Sequence, residues 1–285
     1  MADSDDGWRT IMKFQNLIGT VALVMAVGIA SAQGPDLSKY PDWSGQWRRP
    51  PGVGIQFDQS KPLGLRQEAP LTPEYQKIYE AGIADQAAGG QGTDPTYRCI
   101  PFGMPRMTSA IFPFEILITP KTTYILSDYW QPRRIHTDGR DFPAEFETNY
   151  EGYAIGQWVD TDGDGIYDEL RVETRGMRGP RSFEASGIPL HADNETIVKE
   201  RFYLDKNDKN VIYDEITTID KALTRPWVVT KKYIRQSGPV VWYEQNCSED
   251  NHQVLIGKEN YFLGGDGMLM PTKKNQPAPD LKYFK

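Results

Sequence analysis

Residues 196–235 read TIVKERFYLDKNDKNVIYDEITTIDKALTRPWVVTKKYIR, and the rhythm of this stretch decides the fold. Runs rich in β-branched and aromatic residues at 196–204, 211–219 and 227–235 are broken by short polar stretches of Asp, Asn, Lys and Pro. Within each run apolar and polar side chains alternate, which is the period-two pattern of a half-buried strand. Breaks this short join antiparallel neighbours, because a parallel crossover needs a dozen or more residues.

The same grammar extends outward. Segments 112–119, 122–129, 153–159, 169–174 and 240–245 carry the same composition between Gly, Pro, Asn and Asp turns. The pattern predicts a mainly β protein built as an antiparallel up-and-down barrel or strongly curled sheet, with a two-sheet β-sandwich as the alternative. One N-terminal helix is expected over 73–88, where Thr72 is an N-cap, Pro73 opens the first turn and a glycine pair follows. Residues 33–70 are rich in Pro, Gly and polar side chains and read as an irregular arm with one short strand near Trp47. Residues 71–285 then form a single β-rich domain.

Strand parity nominates interior polar groups. On 196–204, Val198, Glu200, Phe202 and Leu204 share the face expected to point inward, and on 211–219 the face with Val211, Tyr213, Glu215 and Thr217 is taken as its counterpart. Interior carboxylates need partners, because an unpaired buried charge is costly. Arg225, just before Pro226-Trp227, and Lys231 are the expected partners. The arrangement is either an ion-pair network that fixes register or the polar floor of a ligand site.

The N-terminus reads as a targeting segment. An apolar run at 17–29 follows Met12 and Lys13 and ends in Ala30-Ser31-Ala32, the pattern of a secretory signal over 1–32 with translation starting at Met12. No comparable apolar run follows, so no membrane span is expected in the mature protein, which is placed in the periplasm or outside the cell. Formal charge is -7, and about -6 without the first 32 residues. That balance argues against nucleic-acid binding, which needs a basic footprint. In an oxidising compartment the two cysteines, Cys99 and Cys247, are expected to pair.

The acidic stretch DTDGDGIYDELR at 160–171 sets Asp160, Asp162, Asp164, the Ile166 carbonyl and Asp168 at the spacing of an EF-type calcium loop, with Gly165 at the turn. Arg171 stands where that loop carries its bidentate glutamate, and strand-like sequence flanks it. The expectation is a compact structural Ca2+ turn, with Glu169 as a substitute ligand, or a metal-free acidic hairpin. No organic cofactor is expected: GMRGP and GGDGM lack the strand-turn-helix setting of a nucleotide fingerprint, and no G-x-S-x-G elbow occurs. The histidines, His136, His191 and His252, each lie near a carboxylate in sequence but lack metal-ligand spacing.

Over 71–285 the chain resembles a family of secreted bacterial proteins of unknown function. The resemblance is carried by Cys-x-Pro-x-Gly-x-Pro-Arg from Cys99, by Thr137 to Arg140, by His191 ahead of Glu200-Arg201-Phe202, and by Thr224 to Trp227. Relatives have a short turn where this chain has its acidic loop, which makes that loop an elaboration. The resemblance implies export and a β architecture similar to that of lipocalins. The leading expectation is a barrel that binds a small, largely apolar organic molecule, oriented by His191, Glu200, Glu215 and Arg225. The alternative is a cofactor-independent acid/base enzyme, an isomerase, hydratase or lyase, with His191 as base, Glu200 or Asp138 as acid and Arg140 as anion stabiliser. A third reading is an envelope scaffold.

Overall fold

Nine strands close on themselves in sequence order: β1 (Gln46–Arg48), β2 (Phe114–Ile118), β3 (Thr122–Leu126), β4 (Arg133–His136), β5 (Tyr153–Val159), β6 (Glu169–Arg175), β7 (Ile197–Leu204), β8 (Val211–Ile219) and β9 (Trp227–Arg235). The structure is a computed structural model, described for residues 36–109, 112–128, 130–240, 242, 247, 252–280 and 282. The expected signal segment lies outside these residues, and so does most of the strand expected at 240–245. No helix among the described residues is long and apolar enough to cross a membrane.

The long central strands form where expected. Between β7 and β8 the DKNDKN turn is braced by its own side chains: Asp205 Oδ1 accepts from the backbone N–H of Asn207 and Asp208, and Asp208 Oδ1 from that of Asn210. The register then sets Arg201 opposite Glu215, Phe202 opposite Asp214 and Asp214 opposite Lys231. Barrel neighbours are antiparallel apart from β4 and β5, which run parallel with Ile135 beside Ala154. Their connection, Thr137 to Gly152, is correspondingly the long one.

The irregular N-terminal arm closes the barrel. Its short strand, β1, sits between β2 and β9, with Trp47 opposite both Phe114 and Arg235. Trp47 and Trp43 are buried, and the Trp43 ring lies 4.8 Å from that of Trp158 on β5. Further along the arm, Phe57 packs 4.9 Å from Trp227 and 4.8 Å from Phe183. Helix α1 (Pro73–Ala87) starts as its sequence predicts, with Thr72 Oγ1 accepting from the backbone N–H of Tyr75. A separate antiparallel sheet, β10 (Gln253–Ile256), β11 (Glu259–Leu263) and β12 (Leu269–Pro271), follows the barrel. Cys99 and Cys247 form a disulfide.

The apolar interior falls into two clusters. One gathers Trp43, Trp47, Phe114, Ile135, Trp158 and Phe202, and the other gathers Phe57, Met104, Met177, Phe183, Val198 and Trp227. What separates them is charge.

Candidate functional site

Alternation along three adjacent strands builds a polar layer. On β7, Val198 belongs to one cluster and Phe202 to the other; on β8 the corresponding pair is Ile216 and Ile212, and on β9 it is Val229 and Tyr233. The inward residue between each pair is Glu200, Asp214 and Lys231, and all are buried. Arg133, the first residue of β4, reaches into the same layer and is buried as well.

Glu200 is fully engaged. Arg133 Nη1 donates to its Oε1 at 2.8 Å, Arg133 Nη2 donates to its Oε2, and Nη2 also reaches Thr174 Oγ1 at 2.9 Å. This two-pronged pairing neutralises both charges. Lys231 Nζ turns away from the acids, donating to the Phe57 carbonyl at 2.7 Å and to Ser109 Oγ at 2.8 Å, over the Phe57 ring at 4.2 Å. Burial pulls the Lys231 amine down to about 7.

Asp214 is the exception. The residue is 1% exposed, yet among the described residues neither carboxylate oxygen has a hydrogen-bond partner. Burial, reinforced by the negative charge of Glu200, pushes its carboxyl well above the ordinary range, so it is neutral where exposed carboxyls are ionised. It lies at the floor of a cleft walled by Phe114, Ile125, Phe202, Tyr233, Met107 and Trp130, with Arg133 and Thr108 alongside. Tyr233 holds the rim, donating from its hydroxyl to the Thr108 carbonyl at 2.8 Å. The void is about 20 Å³, room for one water and far below the roughly 300 Å³ of a typical ligand pocket.

The structure corrects the face assigned on β8. Glu215 points outward and pairs with Arg201 at 3.2 Å, while Asp214 takes the interior position. Tyr213 stacks on Tyr203 outside the barrel, ring centroids 5.4 Å apart, so an aromatic there is no sign of the core. Arg225 is also displaced from its expected partner. It stands exposed in the turn before β9, and Glu200 is met by Arg133 instead.

The other expected residues do not converge with Glu200. His191 Nδ1 lies 3.0 Å from Asp193, its backbone N–H donates to Asp220, and its ring faces Tyr75 at 5.8 Å. Asp138 and Arg140 form a mutual pair in the turn after β4, where hydrogen bonding from Arg140 lowers the Asp138 carboxyl to about 2. His136 stacks on Tyr153 at 5.0 Å, and burial together with the Arg140 charge lowers its pKa.

In the acidic loop, Asp160, Asp162 and Asp164 each offer an oxygen within 4.8 Å of the others. The same groups brace the turn: Asp160 accepts from the backbone N–H of Gly163 at 2.7 Å and Gly165 at 2.8 Å, and Asp164 from Ile166 at 2.8 Å. Asp168 is taken up by the Thr161 backbone N–H and hydroxyl, and Glu169 by Arg171 and Arg201. Hydrogen bonding, from Gly165 first, holds the Asp160 carboxyl below its ordinary value.

The residues that resemblance singled out have legible local roles. Arg106, ending the Cys99 motif, forks onto Asp94 at 2.7 and 2.8 Å and reaches Ser182. Glu200 and Phe202 enter the barrel, and Trp227 anchors the second cluster. Comparison with protein-family models, with curated proteins and with solved structures finds no match.

Proposed function

We propose that this chain is an exported β-barrel protein that binds a small, largely apolar organic molecule in the cleft over Asp214. One observation carries the reading: a buried carboxyl with neither oxygen bonded forms the floor of an otherwise aromatic and aliphatic cleft. Native interiors rarely leave such a group unsatisfied, and an apolar wall with a few placed polar groups is what small-molecule sites require. A guest larger than water must move a wall. Met107 is unbranched and adaptable, and Trp130 is half-buried at the rim. The Cys99–Cys247 disulfide supports the placement in an oxidising compartment. Chains sharing the motifs from Cys99, Thr137, Glu200 and Thr224 are proposed to share this barrel.

The test is a pair of mass spectra, native and denaturing, of protein purified from a periplasmic extract. The expected result is an organic adduct present in the first and absent from the second. Thr108→Phe at the rim and Ile125→Phe in the wall should each remove it while circular dichroism stays native. An adduct that survives both substitutions places the ligand elsewhere. Bare masses throughout leave the envelope scaffold as the reading.

The raised Asp214 carboxyl favours a second reading, an acid/base enzyme in the same cleft with Asp214 as proton donor. Asp214→Asn separates the two. A binding protein retains its ligand with modestly altered affinity, whereas an enzyme retains binding and loses turnover.

A further inference from the structure

Several buried polar atoms without partners line one void. Both Asp214 oxygens, Trp130 Nε1 and Arg133 Nε are shielded from solvent and hydrogen-bonded to nothing among the described residues, and all three side chains line the 20 Å³ cleft. The indole and guanidinium N–H groups can only donate, and a neutral carboxyl adds one O–H donor while its other oxygen still accepts, so donors outnumber acceptors three to one. The atoms therefore call for an acceptor.

Charge points the same way. The groups facing Asp214 are Arg133 from β4, Glu200 from β7 and Lys231 and Tyr233 from β9, with Arg49 buried nearby and Glu215 on the outer side of β8. Arg133 is cancelled by Glu200, and Arg49 leaves the interior with a surplus of positive charge to which Lys231 adds as pH falls below about 7. A cationic guest meets repulsion there. An anionic guest must be stripped of water to enter a dry interior whose best cation is already paired. A neutral oxygen acceptor avoids both costs.

Building on the ligand-binding reading above, we propose that the guest is a neutral, largely apolar carbonyl compound whose oxygen accepts hydrogen bonds from Trp130 Nε1, Arg133 Nε and the Asp214 carboxyl. The aromatic and aliphatic walls take its hydrocarbon part.

Calorimetric titration of the full-length protein with acetophenone, ethylbenzene and 1-phenylethylamine tests this, because the three share size and shape and differ in the group presented. Acetophenone should bind at least about tenfold more tightly than ethylbenzene, since a site built for a polar group discriminates strongly against its absence. The ammonium compound should bind most weakly. Trp130→Phe and Asp214→Leu should each narrow the difference between ketone and hydrocarbon, with thermal melts confirming the fold, and Asp214→Asn should keep most of it because an amide N–H still donates. Ketone affinity should fall as pH rises through the Asp214 titration, and this dependence should vanish in Asp214→Asn. Equal affinity for ketone and hydrocarbon, or tightest binding of the amine, overturns the carbonyl assignment while leaving an interior ligand site standing. Failure of all three to bind overturns the carbonyl assignment and the interior site together and leaves the void to a single water.

Discussion

Asp214 makes the barrel's stability depend on pH in a direction opposite to that of most carboxylates. In the unfolded chain it ionises near pH 4, whereas in the fold burial keeps the proton on. Between those two points the folded state binds more protons, so stability falls as pH rises. Lys231 acts with the reverse sign over a higher window. Its folded value of about 7 lies below the unfolded value, so from about pH 7 to 10 the unfolded chain holds more protons and stability rises with pH. Urea denaturation from pH 4 to 7 should therefore decline less steeply in Asp214→Asn than in the parent chain; parallel curves would remove Asp214 from the account. The Arg133–Glu200 pair predicts a different signature. Arg133→Met strands a carboxylate between two apolar clusters and should cost about 3–5 kcal/mol, while Arg133→Met with Glu200→Leu should recover most of it. Failure of the double variant to recover would mean that Arg133 also sets the placement of β4 against β6 and β7, through Thr174 and Glu200.

At the scale of elements, the arm and the acidic turn carry the sharpest consequences. β1 is three residues long yet supplies both edges needed for closure, between β2 and β9. Trp47→Ala should cost about 3–5 kcal/mol by cavity formation and should loosen the β1 pairing first, visible as faster amide exchange at Gln236, whose N–H donates to the Gln46 carbonyl, than in β7. The acidic turn already satisfies Asp160 and Asp168 from its own donors, so it can stand as a hairpin. The proposal that it takes calcium predicts a melting temperature that rises with added Ca2+, by mass action on the folded state, and an Asp162→Asn variant that does not respond. A melt indifferent to calcium and to chelator leaves a braced acidic turn. Period-two alternation gave β5, β8 and β9 their observed bounds, and the Thr72-Pro73 signal placed the start of α1. It missed β4, because Arg-Arg-Ile-His is too short and too charged to show a period. The partner of Glu200 is therefore not legible in the sequence. The inward face of β8 is not legible from alternation alone, because both faces carry apolar side chains and Tyr213 packs on an outer tyrosine.

Across the whole molecule, one covalent link joins segments far apart in sequence. Cys99 follows a short 3₁₀ turn whose N-cap, Asp94, is held by Arg106, and Arg106 opens the turn that carries Met107 and Thr108 to the rim of the cleft. Cys247 lies 148 residues further on. A loop of that length loses much entropy when closed in the unfolded chain, and the chain-entropy account gives the link on the order of 4–5 kcal/mol, with measured values for native disulfides commonly 2–5. Cys99→Ser with Cys247→Ser should therefore lose about that much unfolding free energy, read as a lower urea midpoint. The decisive comparison is functional. The anchoring of the rim by Arg106, Ser109 and Tyr233 does not pass through the disulfide, so the variant should retain whatever native adduct the parent carries, measured well below its melting temperature. Loss of stability with the adduct retained assigns the bond to global stability. Loss of the adduct from a still-folded variant would instead mean that the Cys99 segment positions the cleft through Met107 and Thr108.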